Sequence, residues 1–379
     1  MKFGGLTWWR ANYGSILQSY ALQEYLTKEK KIDYEIICQY GKKNTSLKNL
    51  KDKIKNKGIR QTFKKLLFKF GIKNMRKRNN AMQKFVDTKL KVSKKEYTIN
   101  SIDEANNIYD GFICGSDQIW NPTLSDLNSI YWLKFAKKDK IKIAYAPSIG
   151  VNKLNNSDAI KIKDNLKDFK AISCREKDGT ELINSILESN KCKNVLDPTL
   201  LVEKETWDNL IKEEDNRING DYIFVYILRG NKKQRQIIEN IAKINKLKIV
   251  TMPFLETDHI NLYDIVFGDI KIWEATPITF INLIKNAKYI FTDSFHCMIF
   301  STIYHKKFLM FPKKGKAQMS RLINFQKMIG IDGVMIDEKC SIENINKILT
   351  LNNNWKKIDE IIRKKRDESI DFLDQALNK

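Results

Sequence analysis

The chain has 379 residues, of which 42% are apolar and 11% aromatic, enough for large buried cores and against global disorder. At about 150 residues per domain, two or three domains are expected. No run of about 18 apolar residues free of charge occurs, so no membrane-crossing helix is expected; the first residues lack a signal-peptide core, so a cytoplasmic protein is expected. The net charge of +23 at pH 7 points on its own to nucleic acid. Its distribution argues otherwise, because residues 41–91 hold 18 basic residues against two acidic ones, Asp52 and Asp87.

The chain opens with a short strand over residues 1–7 and a turn. Apolar residues at Ile16, Leu17, Tyr20, Ala21 and Tyr25 then have helical spacing, with Asn12 or Ser15 as the cap. Residues 33–40 read as a strand, completing a strand–loop–helix–strand unit of Rossmann type. The basic segment, about 42–91, reads as two or three helices, with Phe63, Leu66, Leu67 and Phe70 on one amphipathic face.

Strands are expected at 109–116, 142–150 and 169–176, and residues 194–201 lead out of the first domain. A second domain opens with the strand 221–228. It continues with a helix at 232–245, a strand at 248–253 and a helix at 277–286 that has Pro near its start. A strand at 288–293, a helix at 294–304 and a strand at 308–311 follow. The last helix, about 355–377, is strongly charged, and its length allows it to cross back to the first domain. These patterns predict an α/β protein of two Rossmann-like domains facing across a cleft, with an inserted basic helical segment. The expected boundaries are 1–205, 206–350 and a terminal helix within 351–379.

Four polar motifs follow predicted strands, where open α/β sheets bind ligands. In Asn12-Tyr13-Gly14-Ser15, backbone N–H groups and the helix end suit an anion or a sugar hydroxyl, or else simply cap the helix. The second motif holds Ser116, Asp117, Gln118, Trp120 and Asn121. It suits a sugar, with the indole of Trp120 on its face and Asp117 orienting or deprotonating a hydroxyl; the competing reading is an Asx-turn with a packing Trp. In Ser173-Cys174-Arg175-Glu176, Arg175 is placed to grip phosphate or carboxylate bidentately. In Asp293-Ser294-Phe295-His296, the His stands at a strand-to-helix turn and is suited to proton transfer near neutral pH. Lys313, Lys314, Lys316 and Arg321 follow the last strand as a candidate basic lid or a solvated loop. The six cysteines are scattered with no C-x-x-C pair, and the three histidines form no metal-binding pattern, so neither a disulfide framework nor a metal site is expected.

The order of these elements, N-Y-G-S-x-L-Q-S-Y-A-L-Q, G-S-D-Q-I-W-N-P, S-C-R-E, L-D-P-T-L-L, T-D-S-F-H-C-M-I-F-S and the late S-R-L at Ser320-Arg321-Leu322, resembles the polysaccharide pyruvyl transferase family over about residues 4–330. Cys297 departs from the Gly that commonly follows the His in that family, and the basic segment at 42–91 is poorly specified by its pattern. The resemblance implies a GT-B-like fold and transfer of a pyruvyl group from phosphoenolpyruvate to two hydroxyls of one sugar, forming a cyclic ketal and phosphate. It needs no metal or redox cofactor. His296 is then the candidate general acid, oriented by Asp293. Arg175 and Arg321, with Lys313 or Lys314, are candidates for the donor anion. Asp117, Asn12, Gly14, Ser116, Gln118, Trp120, Ser173 and Ser294 complete the candidate set.

The implied partners are phosphoenolpyruvate and a glycan or lipid-linked sugar. The basic segment would then meet an anionic membrane surface, peripheral to the inner membrane face. A nucleotide-sugar glycosyltransferase of the same architecture is the alternative; Glu274 would be its stand-in for a ribose-binding acid. A non-catalytic glycan-binding or nucleic-acid-binding protein is the second alternative, although no recognition motif for nucleic acid is present.

Overall fold

The computed structural model describes residues 1–39, 59–214, 218–228, 230–254, 262–312 and 316–378. Two parallel sheets organise them. The first contains β1 (Lys2–Leu6), β2 (Asp33–Gln39), β3 (Val92–Tyr97), β4 (Gly111–Cys114), β5 (Ile141–Ala144), β6 (Ala171–Cys174) and β7 (Cys192–Asn194), in the order β3-β2-β1-β4-β5-β6-β7. The second contains β8 (Tyr222–Tyr226), β9 (Lys248–Thr251), β10 (Ile270–Lys271), β11 (Tyr289–Thr292) and β12 (Lys307–Met310), in the order β10-β9-β8-β11-β12. Every strand pairing is parallel. Central strands such as Gly111–Cys114 and Tyr222–Tyr226 are buried at every position, which explains their unbroken apolar runs.

Both sheets reverse their winding direction once, between β1 and β4 in the first and between β8 and β11 in the second. Crevices form at such points beyond the carboxyl ends of the strands. The two crevices are joined by the helix Tyr13–Glu24, buried along its whole length. Its Tyr13 stacks on Phe280 of the second half at 5.3 Å, and its hydroxyl donates to the Ala275 carbonyl at 3.0 Å. Tyr20 lies 5.9 Å from Trp207. One continuous apolar cluster therefore spans both halves.

The final helix, Trp355–Leu377, returns to the first sheet. Ser369 Oγ accepts the Leu196 N–H at 2.9 Å, and Lys30 pairs with Asp374 at 2.6 Å. Two or three helices were expected over the basic segment, of which the first falls on residues outside the described ones. Its described part is one unbroken helix, Ile59–Lys89, followed by the unanticipated strand β3. Gly71 does not end it, because an interior glycine costs only about 1 kcal/mol, less than the packing of Met82, Phe85 and Val86 returns. Residues 42–58 lie outside the described residues. No helix among the described residues is long and apolar enough to cross a membrane.

Candidate active site

His296 enters from the second sheet. The loop after β11 delivers it to the first turn of the helix Phe295–Ile303, whose N-cap is Ser294. Opposite stands the N-terminus of the helix Tyr13–Glu24. Asn12 Oδ1 accepts the Gly14 N–H at 2.9 Å and the Ser15 N–H at 3.4 Å, fixing that terminus. A Cβ on Gly14 would sit 1.9 Å from His296 Nδ1. Glycine is thus required for contact between the two halves, not for its backbone freedom.

On its other edge, His296 Nε2 lies 3.5 Å from Asp197 Oδ2, outside hydrogen-bonding geometry, and has no hydrogen-bond partner. Asp197 follows β7 and is 2% exposed, so its charge must be met locally. Arg175 Nη1 donates to Oδ2 at 2.7 Å, and the Thr199 hydroxyl and N–H bind Oδ1 at 2.7 and 3.0 Å. Burial pushes this carboxyl up, but His296 and then Arg175 outweigh it and hold Asp197 well below the usual carboxylate range.

Arg175, placed by the end of β6, also donates from Nε to Glu176 at 3.1 Å. Burial opposes its charge, while Glu176, Asp197 and Asp117 raise its pKa above the ordinary arginine value. Its Nη2 still has no partner. Arg321, from the helix Lys316–Ile329, is different. Both guanidinium groups approach the Phe295 ring, at 4.4 Å for Arg175 and 5.8 Å for Arg321. Among the described residues Arg321 has no ion pair, and its buried Nε has no partner. Burial and then the charge of Arg175 lower its pKa to about 10. A cavity of about 530 Å³ lies between them, lined by Arg175, Asp197, Phe295 and Arg321, with Lys177 and Lys327 at its border.

The site thus brings together His296, Gly14, Asp117, Arg175 and Arg321, plus Asp197 and Phe295, which the sequence reading did not select. Asp117 Oδ2 accepts the Ser15 hydroxyl at 2.5 Å, tying the loop after β4 to the same helix end. Other candidates serve the scaffold. Trp120 is fully buried and stacks on Trp132 at 4.8 Å, so it packs in the core and presents no face to a sugar. Ser173 is also fully buried; its hydroxyl donates to the Ala144 carbonyl and accepts the Ala146 N–H. The Ser116 hydroxyl donates to the Ala146 carbonyl at 2.8 Å and reaches Asp197 only at 3.4 Å. Gln118 is half-buried and accepts from Asn121.

Asp293 Oδ1 accepts the Leu228 N–H at 2.8 Å, bracing the end of β8, whereas the carboxylate beside His296 is Asp197. Glu274 is engaged by Lys77 of the long helix. Lys313 and Lys314 lie outside the described residues. The Cys297 side chain is fully buried in the core, where burial pushes its thiol up to about 12.

Solved structures with the same architecture include a provisionally named UDP-N-acetylglucosamine 2-epimerase from Listeria monocytogenes, at 10% identity and TM-score 0.54, covering 96% of this chain and 90% of that one. The UDP-N-acetylglucosamine 2-epimerase of Methanocaldococcus jannaschii matches at 15% identity and TM-score 0.50, covering 96% and 99%. At such identities these matches show the fold alone, the GT-B arrangement of two Rossmann-like halves. No curated protein matches the chain. The family model for polysaccharide pyruvyl transferases matches residues 12–312, from the helix end at Asn12 through β12, and the chain belongs to that family of glycan-modifying transferases.

Proposed function

We propose that the protein transfers a pyruvyl group from phosphoenolpyruvate to a sugar of a glycan or glycan precursor, forming a cyclic ketal and releasing phosphate. The observation that carries this reading is the pair of buried arginines with unpartnered N–H groups, Arg175 and Arg321, beside His296. Phosphoenolpyruvate has a phosphate and a carboxylate, and two guanidinium forks suit two oxyanions.

In this reading His296, in its protonated form, gives a proton to the methylene carbon of phosphoenolpyruvate, leaving C2 oxocarbenium-like. One sugar hydroxyl adds to C2 and loses its proton, with Asp117 the nearby carboxylate suited to accept it. The C2–O bond to phosphate then breaks, and the second hydroxyl closes the ketal as its proton returns to His296. Asp197 keeps His296 and Arg175 in register throughout. Glycine at position 14 leaves the imidazole close to the helix end, whose N–H groups favour negative charge on a reactant. The chemistry draws on these side chains and both substrates.

The acceptor is a saccharide, and a lipid-linked precursor at the inner membrane face is the form that best suits the basic segment. Incubation with phosphoenolpyruvate and a panel of glycans tests the reaction. Phosphate release that requires both substrates, with the product gaining the mass of pyruvic acid less one water, is the expected result. A nucleotide-sugar glycosyltransferase would leave phosphoenolpyruvate intact, and that result would remove the proposal. Glu274, the acid that reading needed, is already held by Lys77.

A further inference from the structure

The helix Lys177–Leu187 begins two residues after Arg175, and the residue at its N-cap does not cap it. Glu176 holds that position but makes no side-chain bond to the helix end. Its carboxylate turns back to Arg175 instead, at 3.1 Å. The first N–H groups of a helix have no partner within it and take one from elsewhere. The N–H of Asp178 takes its partner from the other half of the molecule, where Asn324 Oδ1 accepts it at 3.2 Å.

The contact runs in both directions. Asn324 Nδ2 donates to Asp178 Oδ2 at 2.8 Å, and the Ser320 hydroxyl donates to the same oxygen at 3.2 Å. Asn324 Nδ2 also donates to the Ser320 carbonyl at 2.9 Å, which holds the amide in place. Ser320 and Asn324 are one turn apart and share a face of the helix Lys316–Ile329. Arg321 lies between them in that turn. Phe325, next in sequence, packs at 5.9 Å on the Phe295 ring that both arginines approach. Asp178 and Asn324 are half-buried in the wall of the cavity that Arg175 and Arg321 line.

We propose that Asp178 and Asn324 form a clasp across the cleft that sets the spacing of Arg175 and Arg321, which makes them positioning residues for the donor. Arg175 is braced within the first half by Asp197 and Glu176. Arg321 has no ion pair among the described residues, so its place relative to Arg175 depends on how its helix is held. Two guanidinium groups carried by separate halves grip one small molecule with two oxyanions only when their separation is fixed. The clasp joins the helix end beside Arg175 to the turn that contains Arg321, so any shift of one half against the other breaks it. Because Asn324 supplies the cap, Glu176 is free to hold Arg175. The inference rests on the pyruvyl-transfer reading only in naming the anion as phosphoenolpyruvate.

The test is calorimetric titration of phosphoenolpyruvate into wild type, Asn324→Ala, Arg321→Gln and the double variant. Asn324→Ala should weaken binding about five- to tenfold. In the Arg321→Gln background the same substitution should cost less than about twofold, because the clasp acts through Arg321. Unchanged affinity in Asn324→Ala, or an equal loss in both backgrounds, would overturn the proposal; the equal loss is what a cap with a purely structural role gives. Asp178→Ala should reproduce the loss, and Asp178→Asn, which keeps an acceptor oxygen, should recover most of it. Should Asn324→Ala fail to fold, the two Asp178 variants decide the matter, and equal affinity in both would overturn the clasp. If wild type does not bind phosphoenolpyruvate, the donor reading fails, and inorganic phosphate titrated into the same four proteins decides the clasp by the same comparison. Absence of saturable phosphate binding by wild type would then overturn the clasp as well.

Discussion

Arg175 and Arg321 approach the same aromatic ring from different halves of the molecule, yet their electrostatic settings are opposite. Arg175 is fixed by Asp197 and Glu176, which raise its pKa. Arg321 has no ion pair among the described residues, and its pKa is lowered to about 10. Buried charges are tolerated when paired and costly when not. Arg175 is thus a structural anchor with one donor group to spare. Arg321 is a cation held at a cost, which an anion would relieve. The first half supplies rigidity and the second supplies unmet charge.

The largest effect that would break this contrast is expected at Asp197. Asp197→Ala removes a carboxylate from Arg175 and from His296, and should cost about 3–5 kcal/mol of stability, read by thermal or urea unfolding. A change under 1 kcal/mol would mean that Arg175 is not anchored there. His296→Ala should lower kcat/KM by about 10²–10⁴ in a phosphate-release assay, while phosphoenolpyruvate affinity stays within about threefold. Gly14→Ala inserts a methyl group against His296 and should cost about 1–3 kcal/mol, with activity lost before the fold is.

The smallest effects are those of pH. Asp197 is held below its usual range, so its ion pairs contribute stability above about pH 3.9, the unfolded value, and lose it only as pH falls through the lower folded value. Above about pH 5, stability should therefore not vary with pH through Asp197, although Asp197→Ala still loses the ion pairs there. Arg321 loses its charge as pH rises through about 10, so phosphoenolpyruvate affinity should fall there. Arg321→Gln should abolish that fall.

The elements that sequence revealed well were those with unbroken apolar runs: β8, β11, and the helices Lys232–Asn245 and Pro277–Asn286 begin and end close to expectation. Shorter pieces were hidden. β3 has only two strongly buried residues in six, and β10 is two residues long. His296, Arg175 and Arg321 were legible because each follows a strand or carries a charge that needs an explanation. Asp197 was not, because an Asp before Pro reads as a turn, and only the fold brings residues 22 and 99 positions away to it. Trp120 misled for the converse reason, since a loop aromatic signals either a ligand or a core and sequence does not give its direction.

The central claim is that Arg321, without an ion pair among the described residues, awaits the donor's anion, and calorimetric titration of phosphoenolpyruvate into wild type and Arg321→Gln tests it most directly. The account predicts a loss of about 1.5–3 kcal/mol in binding, roughly 10- to 150-fold, with no loss of thermal stability. Equal affinity in the two proteins, or weaker binding that comes only with a destabilised fold, would contradict it.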